Sequence, residues 1–170
     1  AMLNKLGKKT AFLGKVGNDQ FGKVLKATIE EIGIDSKGLL MDEVVRTTLA
    51  FVHTFADGDR DFSFYRNPGA DMMLSEEEVD MEMIRDARVF HLGTLSMTDE
   101  PARTATKKAL DVAKEAGCLI SFDPNLRPPL WKSYICTLSA LNTSFISSSK
   151  LYILIFILLC VFTFLGIRFL

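Results

Sequence analysis

Two polar side chains with possible ligand chemistry follow a predicted strand late in the chain. In the stretch FDPNLRPPLW, Asn125 and Arg127 come directly after the apolar run LISF. Open α/β sheets bind ligands beyond the carboxyl ends of their strands. A planar guanidinium pairs with phosphate oxygens and with charge that develops during phosphoryl transfer. Asn125 would add an amide donor or acceptor. The alternative is a surface turn with a solvated arginine, which these residues alone favour.

Other residues of this loop are suited to holding it in shape. Asp123 can fix the turn by accepting backbone N–H bonds, and we do not expect it to act as a catalytic base. Pro124, Pro128 and Pro129 stiffen the loop and lower the entropy cost of holding Arg127 in place.

A second pair of candidate residues, Tyr65 and Arg66, lies in the stretch FSFYRNPGAD. Both follow an alternating run that is typical of a strand, and Asn67 and Asp71 are expected to shape the loop beyond it. An edge-strand arginine and a half-buried tyrosine are the alternative to a binding role.

The element GKVGNDQFG contains Gly14, Gly17, Asp19 and Gly22. It is similar to a glycine-rich phosphate cradle, but it lacks the lysine arrangement of a P-loop. We therefore do not expect a phosphate site at this element. His91, inside the apolar run VFHLG, is predicted to be a core histidine and not a catalytic one.

The elements that would position these residues follow an α/β pattern. A strand is predicted over 10–15, then a helix that Asn18 or Asp19 caps and Gly33 ends. Its apolar residues recur at helical spacing: Phe21, Val24, Leu25, Ile29 and Ile32.

A β-hairpin is predicted over 47–66. Apolar residues alternate on both sides of Asp57-Gly58, which is a strong turn signal. Both faces of this hairpin are partly apolar, which suggests that it covers something.

The remaining elements continue the alternation. A capping box, Ser75 with Glu78, begins a short helix, and RVFHLG is predicted to be a buried strand. Asp99 is expected to cap the next helix, which Gly117 ends, and CLISFD is the last strand. Together the elements predict a mostly parallel sheet with helices on its faces.

Composition limits the classes of function. The 170 residues carry a net charge of −1, so we expect no nucleic-acid partner. The three cysteines are odd in number and widely spaced, which favours a reducing compartment and predicts neither a metal site nor a disulfide framework. The start of the chain shows no signal peptide, and we expect a cytoplasmic protein.

The sequence changes character near Ser133. All 21 acidic residues precede residue 134, and Lys150 and Arg168 are the only two basic residues after it. The segment 151–167 is uncharged and reaches the short limit for a membrane-spanning helix. We treat 134–170 as an unrelated hydrophobic tail that arises from a frameshift or gene-model error; a genuine membrane anchor is the alternative.

Five ordered motifs give the first 133 residues a specific resemblance. GKKTAFLGKVGNDQFG, RTTLAFV, FSFYRNPGADMML, VFHLGTLSM and SFDPNLRPPLW together resemble PfkB-type carbohydrate kinases, with the fructokinase branch closest. The resemblance covers about 3–133. It implies a partial ribokinase-like fold, in which a small β lid, here 47–66, closes over the sugar and excludes water.

The resemblance also implies roles for the candidate residues. Arg127 would contact the transferring phosphate, and Asn125 would lie beside it, near both the sugar and the nucleotide. Arg66 would bind a sugar hydroxyl from the lid side, and Tyr65 would pack on the sugar ring. The glycines of GKVGNDQFG would allow tight packing between a strand and a helix. ATP and Mg²⁺ would be the cofactors.

Further implications concern assembly and missing parts. Family members often dimerise through the lid, so the lid phenylalanines would face a second subunit: Phe51, Phe55, Phe62 and Phe64. The family's upstream sugar-binding motif, its Gly-Ala-Gly-Asp element with the general base, and its nucleotide site have no counterpart in these residues. We therefore expect this chain alone to have no sugar kinase activity.

Alternatives to a fructokinase fragment remain open at this point. The chain could be a non-catalytic, membrane-anchored, sugar-binding remnant. It could also derive from a kinase for another sugar, such as ribose or 2-keto-3-deoxygluconate.

Overall fold

A computed structural model of the chain describes residues 1–123, 125, 127, 130 and 131. It contains two compact units, Ala1–Asp80 and a second that begins at Met81. Several predicted features lie outside the described residues: the composition break near Ser133, the apolar segment 151–167, and the three loop prolines Pro124, Pro128 and Pro129.

The first unit contains a parallel pair of strands. Helix α1 (Met2–Lys5) precedes β1 (Gly14–Gly17), α2 (Gln20–Glu31) and β2 (Leu39–Asp42), and β1 pairs in parallel with β2. The strand predicted over 10–15 was placed too early, because the ladder begins at Gly14 and Ala11 makes only an isolated bridge to Asp35. Strand β2 was not predicted, since its four residues are too short to show a period of two.

Helix α2 begins where the sequence predicts. Asp19 is its N-cap and accepts a hydrogen bond from the Gly22 N–H at 2.9 Å. The apolar residues at helical spacing do not form a buried face in its first half, since Phe21 is 56% exposed and Val24 54%. Helical spacing predicts which side chains share a face; it does not supply the element that covers them. Among the described residues, Gly22 is the only buried residue of this helix.

The predicted hairpin is confirmed. Strands β3 (Leu49–Thr54) and β4 (Arg60–Tyr65) are antiparallel, with Leu49 opposite Tyr65 and Thr54 opposite Arg60. Residues directly opposite each other in such a pair share a face.

The hairpin phenylalanines do not form a single surface. Phe51 lies opposite Ser63, whereas Phe62 and Phe64 lie opposite Val52 and Ala50 on the other face. The rings of Phe62 and Phe64 stack with centroids 6.0 Å apart. A second subunit could therefore contact Phe51 or the Phe62–Phe64 pair across one flat surface, but not all three.

Two short 3₁₀ helices, Ala70–Met73 and Glu76–Glu78, complete the first unit. The predicted pairing of Ser75 with Glu78 is present, since the Glu78 Oε2 accepts the Ser75 N–H at 2.9 Å. The helix that it begins is only one 3₁₀ turn.

The second unit repeats the strand–helix–strand pattern. Helix α3 (Met81–Arg85) is followed by β5 (Val89–Gly93), a 3₁₀ turn (Leu95–Met97), α4 (Ala102–Glu115) and β6 (Leu119–Asp123). Strands β5 and β6 are parallel. Their core consists of buried residues from both strands and α4, with partly buried neighbours: Leu92, Leu110, Phe122, Phe90 and Ile120.

Two predictions for this unit are wrong. His91 is exposed and not a core histidine, and its Nδ1 lies 3.0 Å from the Ser121 Oγ on the neighbouring strand. Successive strand residues point to opposite faces, so the burial of Leu92 places His91 on the other side. Asp99 is not the cap of α4 either: Pro101 occupies the N-cap position, and the Glu100 Oε2 accepts the Thr104 N–H at 3.1 Å.

The α/β class predicted from the sequence is confirmed, because each unit contains a parallel strand pair and at least one packed helix. Within the described part of the chain, none of the helices has the length and apolar character needed to cross a membrane.

Candidate functional site

Arg66 is buried at the point where the hairpin ends. Its side chain is only 5% exposed, and its Nε and Nη2 each lie 2.7 Å from the Asp71 Oδ2. The other oxygen of Asp71, Oδ1, accepts a short hydrogen bond from the Thr48 hydroxyl. Thr48 directly precedes β3 and Arg66 directly follows β4, so one carboxylate joins the two chain segments at the base of the hairpin.

Tyr65, the last residue of β4, presents an exposed aromatic surface. Its side chain is 67% exposed, and its ring packs edge-on against Phe51 with centroids 5.4 Å apart. The contact with Phe51 restrains the ring while leaving much of its surface open. An exposed, restrained aromatic ring can pack on the C–H face of a sugar.

The glycine-rich turn after β1 is packed too tightly to hold a phosphate. The Gly22 N–H donates to Asp19 at 2.9 Å, and the Gly17 N–H donates to the Thr47 Oγ1 at 3.0 Å. A Cβ on Gly22 would overlap the carbonyl oxygen of Gly17. The predicted tight packing between strand and helix is thereby confirmed.

Electrostatics also argue against an anion at this turn. Hydrogen bonds from the backbone N–H groups of Thr47 and Gly22 hold the pKa of Asp19 below its ordinary value. The carboxylate is therefore charged at neutral pH and would repel a phosphate.

A largely buried lysine cluster supports the segment that carries Asp71, and sequence reasoning missed it. The Lys15 Nζ lies 2.6 Å from the Glu78 Oε1, 3.2 Å from the Asp42 Oδ2 and 3.3 Å from the carbonyl oxygen of Met73. The Lys15 side chain is 10% exposed. The available signal was a lysine inside the apolar run AFLGKVG, which requires an acidic partner if the strand is buried.

The charges of this cluster stabilise one another. Burial acts to lower the pKa of Lys15, but hydrogen bonds to Glu78 and Asp42 outweigh it, and the pKa is raised. Backbone N–H groups of Val45 and Val44, with Lys15, lower the pKa of Asp42. The cluster thus ties the segment after the hairpin to strands β1 and β2.

In the second unit, Asn125 and Arg127 lie directly after the carboxyl end of β6. The Asp123 Oδ1 accepts the Asn125 N–H at 2.9 Å, which confirms the predicted turn-fixing role of Asp123. Asn125 is exposed and has a φ of 26°, a backbone conformation that asparagine tolerates better than most residues. Arg127 is half-buried, and its carbonyl oxygen accepts the Leu130 N–H at 2.9 Å.

The four candidate residues thus form two groups. Tyr65 and Arg66 are in the first unit, whereas Asn125 and Arg127 are in the second. Their ligand-binding roles remain predictions. Among the described residues, no group of three or more His, Cys, Asp or Glu side chains could hold a metal ion.

Comparisons with known proteins agree with the motifs. Residues 1–148 match the model of the pfkB family carbohydrate kinases, a match that extends past the composition break near Ser133. A probable fructokinase-3 of Arabidopsis thaliana is 52% identical over 131 residues, which are 77% of this chain and 38% of that protein.

Solved structures show the same similarity. The fructokinase of Xylella fastidiosa superposes with a TM-score of 0.75 at 35% identity, over 82% of this chain and 44% of its own. A second structure of that enzyme, with bound ATP, gives a TM-score of 0.74. The fructokinase of Vibrio cholerae, with fructose, ADP and a calcium ion bound, gives 0.72 at 30% identity, over 82% of this chain and 44% of that one. The chain thus spans about two fifths of the length of its curated relatives.

Proposed function

The chain belongs to the pfkB family of carbohydrate kinases, and from that premise we propose that it is part of a fructokinase. The reaction would transfer the γ-phosphoryl group of ATP to D-fructose and yield fructose 6-phosphate. The observation that carries the proposal is the 50–52% identity to plant fructokinases over about 130 residues. This identity covers the hairpin, the Arg66 loop and the end of β6.

The hairpin β3–β4 would serve as the lid over the sugar. Tyr65 and Arg66 lie at its base, where a lid meets its substrate. Closing a lid removes water from the reacting groups, so that the phosphoryl group is transferred to the sugar instead of to water.

The charge balance at Arg66 supports a neutral sugar over an acidic one. Its guanidinium is paired with the Asp71 carboxylate through two nitrogens. A guanidinium whose charge is already balanced suits a sugar hydroxyl, whereas the carboxylate of 2-keto-3-deoxygluconate would lie close to Asp71. Fructose and ribose are uncharged, and the identity to fructokinases favours fructose between them.

Asn125 and Arg127 would form the phosphate side of the site. They follow the carboxyl end of a parallel strand, where open α/β sheets bind ligands. Arg127 would hold phosphoryl oxygens and offset their negative charge during transfer. Among the described residues, no group of three or more His, Cys, Asp or Glu side chains could hold a metal ion, so Mg²⁺ would be held chiefly by water and the ATP phosphates. The turn after β1 is too tightly packed to contact the nucleotide.

Dimerisation and location are also proposals. Phe51 and Tyr65 share one face of the hairpin, whereas Phe62 and Phe64 lie on the other. A second subunit would contact the Phe62–Phe64 face and leave the Tyr65 face to the sugar. The free thiol of Cys118 and the odd number of cysteines suit a reducing compartment such as the cytoplasm.

Calorimetric titration of the whole chain tests the sugar assignment. We expect fructose to bind with a saturable heat, and ribose and 2-keto-3-deoxygluconate to bind more weakly. Arg66→Met should weaken fructose binding about tenfold or more, because it removes charge-assisted hydrogen bonds. Tyr65→Ala should also weaken fructose binding, and this effect should not depend on Asp71, because the Tyr65 ring contacts Phe51.

His53→Ala is the matched control. His53 is an exposed residue of the same hairpin, and it contacts Ser63 away from the base. Its loss should leave fructose binding unchanged. A folded chain that gives no heat with fructose, or that binds the acidic sugar more tightly, would contradict the proposal.

A further inference from the structure

Thr47 connects the base of the hairpin to the turn between β1 and α2. It is buried, with 7% exposure. Its hydroxyl donates to the Asp19 Oδ1 at 2.9 Å and accepts the Gly17 N–H at 3.0 Å. Its own backbone N–H donates to the Asp19 Oδ2 at 2.8 Å. Three hydrogen bonds therefore join the residue two positions before β3 to the turn that follows β1.

Asp19 uses both carboxylate oxygens in this connection. Oδ1 accepts from the Gly22 N–H and the Thr47 hydroxyl, and Oδ2 accepts from the Thr47 N–H. One side chain thus begins α2 and also holds a residue 28 positions away in the sequence. The second function exceeds what a helix cap requires, because one acceptor satisfies the cap.

The neighbouring contacts extend this connection to Arg66. Thr48, the next residue, donates to Asp71, which pairs with Arg66. The Ala70 N–H donates to the carbonyl oxygen of Arg46 at 2.9 Å. The three consecutive residues 46–48, which lead into β3, are therefore hydrogen-bonded to the end of β1 and to the loop that follows Arg66.

We propose that Asp19, acting through Thr47, is a positioning residue that sets where the hairpin leaves the β1–β2 pair and hence where Tyr65 and Arg66 stand. The proposal rests on the function proposed above, because it treats the hairpin as a sugar lid. Asp19 contacts no reacting group in this role. It fixes the pivot of the lid, and rotation of the hairpin then occurs beyond Thr47.

Two substitutions separate positioning from packing at Thr47. Thr47→Val keeps the shape and removes the hydroxyl, whereas Thr47→Ser keeps the hydroxyl and removes the methyl group. A role in packing predicts that Val is tolerated and Ser is not. A role in positioning through the hydroxyl predicts the opposite.

A third substitution isolates Asp19. Asn caps helices about as well as Asp, so Asp19→Asn keeps the start of α2 while replacing one of the two acceptors by an NH₂ group. Asp35→Asn is the matched control, because the Asp35 Oδ1 also accepts a backbone N–H, that of Lys37 at 3.0 Å, in the turn that precedes β2.

The readout is the position of the hairpin relative to α2 within the first unit. We would replace the native cysteines of the whole chain by serine and attach spin labels at the exposed positions Arg60→Cys and Ala27→Cys. Double electron–electron resonance then measures the distance between the two labels, and no sugar is present. Thr47→Val and Asp19→Asn should broaden the distance distribution, whereas Thr47→Ser and Asp35→Asn should leave it at the wild-type width. Exchange of the Thr47 amide should also be about tenfold or more faster in Asp19→Asn, since a hydrogen bond to a charged group is lost.

An unchanged width in Thr47→Val or Asp19→Asn would overturn the proposal, and so would a Thr47→Ser distribution as broad as that of Thr47→Val. If Thr47→Val fails to fold, Asp19→Asn against Asp35→Asn decides the question alone. Because no sugar is present, failure of fructose to bind in the calorimetric experiment would leave this result unaffected.

Discussion

Replacing Gly22 by alanine should destabilise the first unit by about 2 kcal/mol. Gly22 is the third residue of α2, and a Cβ there would overlap the Gly17 carbonyl oxygen and lie 3.0 Å from the Thr47 Oγ1. Alanine in a helix is favoured over glycine by up to about 1 kcal/mol, which works against the clash. Overpacking costs about 1–3 kcal/mol when side chains can adjust, but here the main obstacle is backbone.

Relief of the clash would add a second loss. For α2 to withdraw from β1, Asp19 must move with it, and its hydrogen bonds to Thr47 would weaken at a combined cost of about 1 kcal/mol. The sum of these losses, less the helix-propensity gain, gives the net value of about 2 kcal/mol.

Urea denaturation of the whole chain, followed by far-UV circular dichroism, measures this loss, and the melting temperature should fall by about 4–8 °C. Thr28→Ala is the control, because Thr28 is an exposed residue of the same helix whose hydroxyl donates to the Val24 carbonyl oxygen one turn earlier. Alanine there should stabilise the helix by a few tenths of a kcal/mol. A Gly22→Ala chain as stable as the wild type would refute the argument that backbone contact, and not conformational freedom, requires glycine at this position.

Three other predictions follow from the charges and the exposed helix face. The pKa of Asp19 is lowered, first by the Thr47 backbone N–H. The charged carboxylate therefore stabilises the fold fully above the ordinary pKa of 3.8, and this stabilisation is lost as pH falls through the lower folded-state pKa. The melting temperature of Asp19→Asn should accordingly depend less on pH than that of the wild type below about pH 4. Lys15→Met should lower the free energy of unfolding by about 1–3 kcal/mol at neutral pH, because it leaves the carboxylates of Asp42 and Glu78 without their cation. Adding Glu78→Gln should recover part of this loss, with a coupling energy of about 1 kcal/mol in a double-mutant cycle. Strictly additive effects would contradict the ion pair. Phe21→Ser should change the unfolding free energy by less than about 0.5 kcal/mol because its ring is mostly exposed, whereas a loss near about 3 kcal/mol would show that the ring is covered.

Local signals in the sequence were sufficient for much of the fold. The turn at Asp57-Gly58, the helix stop at Gly33 and the Asp123 turn each depend on residues within a few positions of one another, and all three are present. Such features follow from the conformational preferences of short segments, which a single sequence contains in full.

Features that depend on distant residues were missed. The Lys15 cluster joins residues 27 and 63 positions apart in the chain, and Thr47 joins Asp19 across 28. No periodicity or spacing rule specifies such pairs. His91 was placed wrongly for a related reason: an apolar run predicts a strand, but which of its faces is covered depends on what packs there.

Aspartates near the candidate residues accept hydrogen bonds that hold other residues in place. Asp19 holds Thr47, Asp71 holds Thr48 and Arg66, and Asp123 holds the backbone of Asn125. In each case a short acidic side chain near a strand end accepts the donors that the turn leaves unpaired, which a longer side chain could do only with a greater loss of rotamer freedom. An aspartate beside an arginine in such a loop can suggest an acid–base pair from the sequence, yet Asp71 already accepts hydrogen bonds from Arg66 and Thr48. We therefore expect Arg66, and not Asp71, to contact a ligand, with Asp71 setting how the guanidinium is held.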